Sequence, residues 1–342
     1  MYIRRDEALL ARNSLKLAGR ATAFVAPATE TEMAEAIHWA RAEGLSLQPW
    51  GEGSNIVLCG DIDALVLQPA NRGKVLLEQT ADTVLIKVSA GENWHQLVKW
   101  ALASGYYGLE NLALIPGAVG AAAIQNIGAY GVELSRFLVA VNALDTHTGK
   151  LLRLSAAECQ LAYRDSVFKH ARRDQLLITS IELRLSLSPD IDVSYSALAE
   201  MLANVGSAEL TPVVVFDAVV NLRTSKLPDP AVTPNVGSFF KNPVVNPERV
   251  KDLLQQFPAL PVYPNGQGRS KLPAAYLIEH CGFKGKNRGL VAVHDKHALV
   301  LVNNGTDKGA EVLALATEIQ HAVYQHFGIT LDIEPRILGS AR

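Results

Sequence analysis

Residues 108–131 read Gly-Leu-Glu-Asn-Leu-Ala-Leu-Ile-Pro-Gly-Ala-Val-Gly-Ala-Ala-Ala-Ile-Gln-Asn-Ile-Gly-Ala-Tyr-Gly, and no other stretch constrains the fold as strongly. The stretch is rich in glycine and alanine, almost uncharged, and by pattern too irregular for a helix or a strand. Gly117, Gly120, Gly128 and Gly131 allow positive φ and a close approach of backbone to a neighbour. Ala118, Ala121, Ala122 and Ala123 keep side chains out of the way. Such a loop can aim main-chain N–H groups at a phosphate without a Lys or Arg, which suggests a pyrophosphate-containing ligand. The alternative is a tight packing loop between two elements. Its length favours the ligand, because long loops in compact domains tend to be functional.

Bulk properties narrow the class. A chain of 342 residues is long enough for two or three domains with a sizeable core. A net charge of −2 gives no sign of affinity for nucleic acid or membrane. Cys59, Cys159 and Cys281 are scattered and lack metal-ligand spacing, which fits a reduced, cytoplasmic protein without structural zinc. No apolar run approaches transmembrane length, and Met-Tyr-Ile-Arg-Arg-Asp at the N-terminus carries no apolar signal core.

The first region reads β-α-β-β. A strand at 22–26 is followed by the capping box Thr29-Glu-Thr-Glu32 and a helix that stops at Gly44. Short strands follow at 45–49, 55–58 and 64–67. Gly51-Glu-Gly-Ser-Asn55 lies among them, but it leads into the β pattern Ile56-Val-Leu58 and lacks a third glycine. A Rossmann fingerprint needs strand, G-x-G-x-x-G, then helix, so the pattern argues against that site, although a glycine-rich turn can still touch a phosphate. A second region has paired strands at 75–78 and 83–89, a helix at 94–103, a hairpin over 137–154, a capping box at Ser155-Ala-Ala-Glu158, a long strand at 176–187 and a helix from Pro212 to about Thr224. The third opens on the proline-punctuated Lys226-Leu-Pro-Asp-Pro230 and carries helices at 247–256, 273–281 and 307–327, with strands at 298–302 and 330–338. The expected division is 1–70, 71–225 and 226–328, with a closing segment 329–342 packing back onto the first parts.

Three polar constellations lack a simple core explanation. Tyr163-Arg-Asp-Ser-Val-Phe-Lys169 is too polar for a core strand and on its own reads as a surface loop. Ser238 sits between Gly237 and the pair Phe239-Phe240, ahead of Lys241-Asn-Pro243. Its hydroxyl is either a dry, oriented proton donor or an ordinary turn serine. Glu334 interrupts the apolar closing strand before Pro335, where the backbone is extended. It faces solvent or lies buried beside a cation. His294 and His297 lack a Cys or acidic cluster, so no metal is expected.

Taken together and in order, Gly51–Asn55, the stretch from Ile115 through Gly131, Tyr163–Lys169, Gly237–Pro243 and Glu334 closely resemble the UDP-N-acetylenolpyruvoylglucosamine reductase family, in its longer type I form. The resemblance spans nearly the whole chain. It implies an α+β protein: an FAD-binding fold of the vanillyl-alcohol-oxidase type in two subdomains, plus a C-terminal α+β substrate-binding domain. It further implies a monomeric, cytoplasmic flavoenzyme of peptidoglycan precursor synthesis. In that chemistry NADPH reduces non-covalent FAD, and the enolpyruvyl β-carbon of the UDP-sugar then accepts hydride. Another FAD-dependent oxidase or dehydrogenase acting on an alcohol or sugar would share the glycine loops, but not the Ser238 and Glu334 motifs. A non-catalytic flavin-binding module would need no proton donor.

By motif matching, Ser238 is the proton donor, while Arg164 and Glu334 polarise the enolpyruvyl carboxylate. The resemblance assigns the flavin to Gly51, Glu52, Gly53, Ser54 and Asn55, to Ile115, Pro116, Gly117, Val119, Gly120 and Ala121, and to Gln125, Asn126, Gly128 and Arg223. Tyr163, Tyr195, Lys226, Asn242 and Tyr263 match positions that hold the substrate or the reduced nicotinamide cofactor. His297 departs from the glutamine of some relatives, and either side chain donates a hydrogen bond.

Overall fold

The computed structural model describes residues 1–266 and 268–339. The chain divides into two compact units.

The first unit comprises Met1–Glu7, Ala21–Glu52 and Asp63–Ser225. Its smaller sheet runs in the order Arg4–Ala8, Arg20–Val25, Ile62–Leu67, Ser46–Pro49, the last two strands being parallel. Helix Glu30–Ala42 follows Thr29, whose hydroxyl accepts the Glu32 amide while the Glu32 carboxylate accepts the Ala28 amide. The capping residues thereby satisfy orphan donors at the helix start. Met33, Ile37 and Ala40 of this helix meet Val25, Leu65 and Leu67 in one apolar cluster.

The larger sheet is antiparallel, in the order Leu151–Ser155, Leu138–Asp145, Leu176–Ser186, Thr83–Ser89, Lys74–Gln79. Alternation along Thr83–Ser89 turns Val84, Ile86 and Val88 inward. Against them pack Trp94 and Leu97 from helix Trp94–Ala103 and Val215, Val219 and Leu222 from helix Pro212–Lys226.

The glycine/alanine stretch departs from expectation. Val119–Gln125 is a helix, preceded by a 3-10 turn at Glu110–Leu112. Alanine is the best helix former, and a helix buried on most sides shows no polar face, so its sequence carries no helical period. Val119, Gly120, Ala122 and Ala123 are all buried. Ser155 and Glu158 do close a reciprocal capping pair, yet turns follow instead of a helix, with Gln160 at φ +48°. The strand Arg4–Ala8, too charged to read as one, and the short helix Ser196–Leu202 were not foreseen.

The second unit gathers Ala8–Arg20, Gly53–Ile62 and the chain from Lys226 onward. Its four-stranded antiparallel sheet has the order Asn235–Ser238, Val300–Asn303, Val291–Val293, Asn287–Arg288. Helix Gly309–Phe327 buries Val312, Leu315, Ile319 and Val323. Arg336–Leu338 pairs in parallel with Ile56–Leu58. Among the described residues no helix is long and apolar enough to cross a membrane.

Candidate functional site

In the first unit the short helix Val119–Gln125 is pressed against the large sheet. The Gly120 amide donates to Ala90 O at 2.9 Å, and a Cβ on Gly120 would stand 2.7 Å from the Ala90 methyl. The Val119 amide donates to Glu92 O. Amides 119 and 120 are thus engaged within the protein, so these two positions offer shape rather than donors to a ligand. Gly51 approaches Ala121 closely enough that a Cβ would lie 3.3 Å from its methyl. Gly117, at φ +116°, accepts the Trp94 amide. Glu52 accepts from the Asn93 amide group, whose oxygen caps helix Trp94–Ala103.

Ile115 and Pro116 follow Leu114, a left-handed residue (φ +57°) held at both backbone groups. Its amide donates to His95 Nδ1 at 3.0 Å and its carbonyl accepts Arg223 Nε at 3.2 Å. His95 lies flat on Phe216 and is held below its ordinary pKa by burial, then by the Lys99 and Arg223 charges. Its neutral form is therefore the acceptor Leu114 requires.

Tyr163–Lys169 is no surface loop: Ser166, Val167 and Phe168 are buried. The segment straps onto the short helix, with Ser166 Oγ donating to Ile124 O and Lys169 Nζ to Gln125 Oε1. Arg164 occupies the tight turn at φ +51° and donates to the carbonyls of Asn126 and Gly128, with Tyr163 alongside at 5.3 Å. Asn126 caps the helix in the left-handed conformation, and its buried side chain binds Glu133, Ala162 O and the Ser135 amide.

Burial lowers the Arg223 pKa; Tyr130 opposes that shift, and the Arg164 charge adds to it. A buried guanidinium whose charge is disfavoured by burial is stabilised by an anion or an electron-rich ring placed beside it. With the close glycine contacts at positions 51 and 120 and the positive φ at Gly117, these residues fit a flavin. Tyr130, which sequence reasoning passed over, is buried enough to raise its pKa and meets Tyr195 edge to face. Its only signal was its place between Ala129 and Gly131, at the end of the stretch.

In the second unit Ser238 is fixed by main chain on both sides. Asn235–Ser238 pairs with Val300–Asn303 across a bulge, and the Phe239 amide donates to Leu299 O. On the opposite edge the Glu334 amide donates to Phe239 O, and the Lys241 amide to Asp332 O. Gly237 takes φ +71°, the conformation glycine adopts without cost, and so turns the chain into Ser238. Phe239 and Phe240, 0% and 1% exposed, anchor the step from behind. The structure thus brings Ser238 and Glu334 onto neighbouring backbone.

The His297 turn adjoins them: His297 Nδ1 accepts the Leu299 amide, and its carbonyl accepts that of Val300. Asn242 Oδ1 accepts the Ala274 amide at 2.9 Å, which orients the start of helix Ala274–His280. Tyr263 stands exposed on Tyr263–Pro264, and Lys226, also exposed, ends helix Pro212–Lys226. Gly53, at φ +70°, passes so close to Arg12 that any Cβ would strike its carbonyl. Ser54 follows, and Asn55 O accepts the Arg336 amide. Among the described residues no group of three or more His, Cys, Asp or Glu is placed to hold a metal ion.

Residues 21–155 match the family described as FAD binding domain, and residues 229–338 match UDP-N-acetylenolpyruvoylglucosamine reductase, C-terminal domain. A UDP-N-acetylenolpyruvoylglucosamine reductase of Paraburkholderia phymatum is 47% identical over 309 residues, covering 90% of this chain and 89% of the relative. The chain belongs to the UDP-N-acetylenolpyruvoylglucosamine reductase family. A namesake from Chromobacterium violaceum is 48% identical over 289 residues, 84% of this chain and 85% of its own. The crystal structure of the Thermus caldophilus reductase superposes with a TM-score of 0.70 over 99% of this chain and 100% of that one, at 22% identity, which establishes a shared fold. The enzyme is therefore an FAD-dependent oxidoreductase of α+β fold, and its relatives carry the reductase name rather than that of an alcohol or sugar oxidase.

Proposed function

We propose that this reductase converts UDP-N-acetylenolpyruvoylglucosamine to UDP-N-acetylmuramate, with NADPH as reductant, as a cytoplasmic monomer serving peptidoglycan precursor synthesis. The observation that carries this reading is the Gly237-Ser238 step, clamped between Leu299 and Glu334 and backed by two buried phenylalanines.

The flavin, when bound, supplies a hydride carrier between nicotinamide and enolpyruvyl group. The 51–55 turn and the stretch from Ile115 to Gly128 form its cradle, and Arg223 offers charge to the reduced, electron-rich ring. Arg164 and Glu334 take the substrate carboxylate. Arg164 gives fixed charge in a planar fork, and Glu334 contributes a hydrogen bond when protonated, a state that an adjacent anionic substrate favours. Hydride arrival at the β-carbon leaves an enolate at the α-carbon. Ser238 Oγ gives its proton there. A hydroxyl is a weak acid, but the carbanion-like centre is more basic. Lys226, Tyr195, Tyr263, Asn242 and His297, with Tyr163, hold the phosphorylated ligands.

Anaerobic titration tests this directly. NADPH should bleach the yellow protein, and enolpyruvyl-UDP-N-acetylglucosamine should restore its colour. In Ser238→Ala, bleaching persists while recovery slows about 10²–10⁴-fold. Recovery at the wild-type rate in that variant removes Ser238 from the mechanism.

A further inference from the structure

Tyr195 precedes helix Ser196–Leu202 on an arm that crosses the end of the glycine/alanine stretch. Three features tie that arm to residues 130 and 131, and a fourth ties it to Arg136 nearby in the chain. The Tyr130 and Tyr195 rings meet edge to face, with centroids 5.3 Å apart and planes at 84°. Gly131, at φ +88°, lies so close beneath the arm that a Cβ would stand 3.0 Å from Ser194 Oγ and 3.6 Å from Asp192 Oδ1. Asn111, 3% exposed, spends both amide hydrogens on the arm and its seat, donating to Tyr130 O and Asp192 O at 2.8 Å each. Arg136 spans Asp190 and Asp192 at 2.6 and 3.2 Å.

A tyrosine side chain swings about two torsions, and an edge-to-face neighbour restricts both. We infer that Tyr130 and Gly131 form a seat that orients Tyr195 toward its phosphorylated ligand, with Asn111 clamping seat to arm. Tyr130, Gly131 and Asn111 are positioning residues that act through Tyr195. The inference rests on the ligand role proposed above for Tyr195. Gly131 holds a φ of +88° that strains any side chain, and a Cβ there would also crowd Ser194 Oγ, while Tyr130 supplies the ring that Tyr195 meets edge to face.

Steady-state kinetics of the flavin-loaded enzyme test the seat with Tyr130→Leu, Tyr130→Phe, Tyr195→Leu and the double leucine variant. An edge-to-face pair is worth enough to raise KM for the UDP-sugar roughly 2- to 12-fold in Tyr130→Leu. Maximal flavin reduction by NADPH should stay within about twofold of wild type, since a bound ligand no longer needs the arm pre-ordered. Tyr130→Phe keeps the ring and the wild-type KM. In the Tyr195→Leu background, Tyr130→Leu adds nothing.

A raised KM in Tyr195→Leu with none in Tyr130→Leu overturns the seat, as do equal effects of Tyr130→Leu with and without Tyr195. If Tyr195→Leu itself leaves KM unchanged, the ligand role of Tyr195 falls, and the seat with it. Should Tyr130→Leu fail to retain flavin, Arg136→Ala replaces it. That surface change leaves both rings in place and should raise KM by less than about fivefold, an effect that vanishes in Tyr195→Leu. Persistence of the Arg136→Ala effect there counts against the inference.

Discussion

Gly120→Ala sets two opposed effects against each other. Gly120 lies in a helix without a positive φ, so intrinsic propensity favours alanine by about 1 kcal/mol. Packing opposes it. The added methyl would stand 2.7 Å from the Ala90 methyl and 3.3 Å from its Cα, where apolar carbons settle at about 3.5–4.0 Å. Ala90 is not a flexible side-chain tip: its amide donates to Thr179 O, and its carbonyl accepts the Gly120 amide. A retreat of about 1 Å strains both bonds, adding about 1 kcal/mol to an overpacking cost of about 1–3 kcal/mol. The net effect is a loss of about 1–3 kcal/mol, despite the better helix former.

For a unit of this size that lowers Tm by roughly 2–12 °C. The assay is thermal unfolding of flavin-free protein followed by circular dichroism, with Ala90→Gly as partner in a double-mutant cycle. Ala90→Gly removes the methyl in question, so the double variant should recover most of the loss. A higher Tm in Gly120→Ala, or no recovery in the double variant, would refute the packing argument.

Gly237→Ala meets no neighbour within 4 Å, so its cost is backbone strain of about 1–2 kcal/mol at φ +71°. Stopped-flow reoxidation by the UDP-sugar should slow about 10-fold or more while NADPH bleaching is retained; an unchanged rate would show that the turn does not place Ser238. Asn126→Ala removes three part-buried hydrogen bonds of a buried side chain and a tolerated left-handed residue, and should lower the urea-derived stability by about 2–4 kcal/mol. Lys226→Ala should weaken NADPH and UDP-sugar binding about 10-fold or more, measured by calorimetry, and FAD binding less; equal loss of FAD would contradict its placement. Burial and then the Lys99 and Arg223 charges hold folded His95 below its ordinary 6.5, so the unfolded chain binds the extra proton. The His95 contribution is complete above about pH 6.5 and is lost as pH falls below it. Stability measured against pH should show that slope, and His95→Gln should flatten it.

Local signals carried much of this fold. The box at Thr29 and Glu32 and the alternation in Thr83–Ser89 each place an element with little help from elsewhere. The proline at the start of Pro247–Gln256 does the same. Where burial replaced alternation, the pattern fell silent, and the Val119–Gln125 helix shows glycine and alanine because sheet and strap press on it. Charge hid the strand Arg4–Ala8. Of the candidate site, Ser238 and Glu334 were marked by local oddity, a serine before two phenylalanines and a carboxylate before proline. Tyr130, Asn111 and His95 carry no such mark. Each works through a partner 19 or more residues away, a relation that only folding creates.

The parallel pairing of Arg336–Leu338 with Ile56–Leu58 joins segments roughly 280 residues apart. At about 5–20 residues per second, a ribosome takes roughly 15–60 s to make the intervening chain. Throughout that interval Ile56–Leu58, an apolar segment with all three residues destined for burial, has emerged without its neighbour. The second unit therefore completes its folding only after synthesis nears its end, and until then the 53–62 segment waits unpaired with that strand, open to chaperone capture or mispairing.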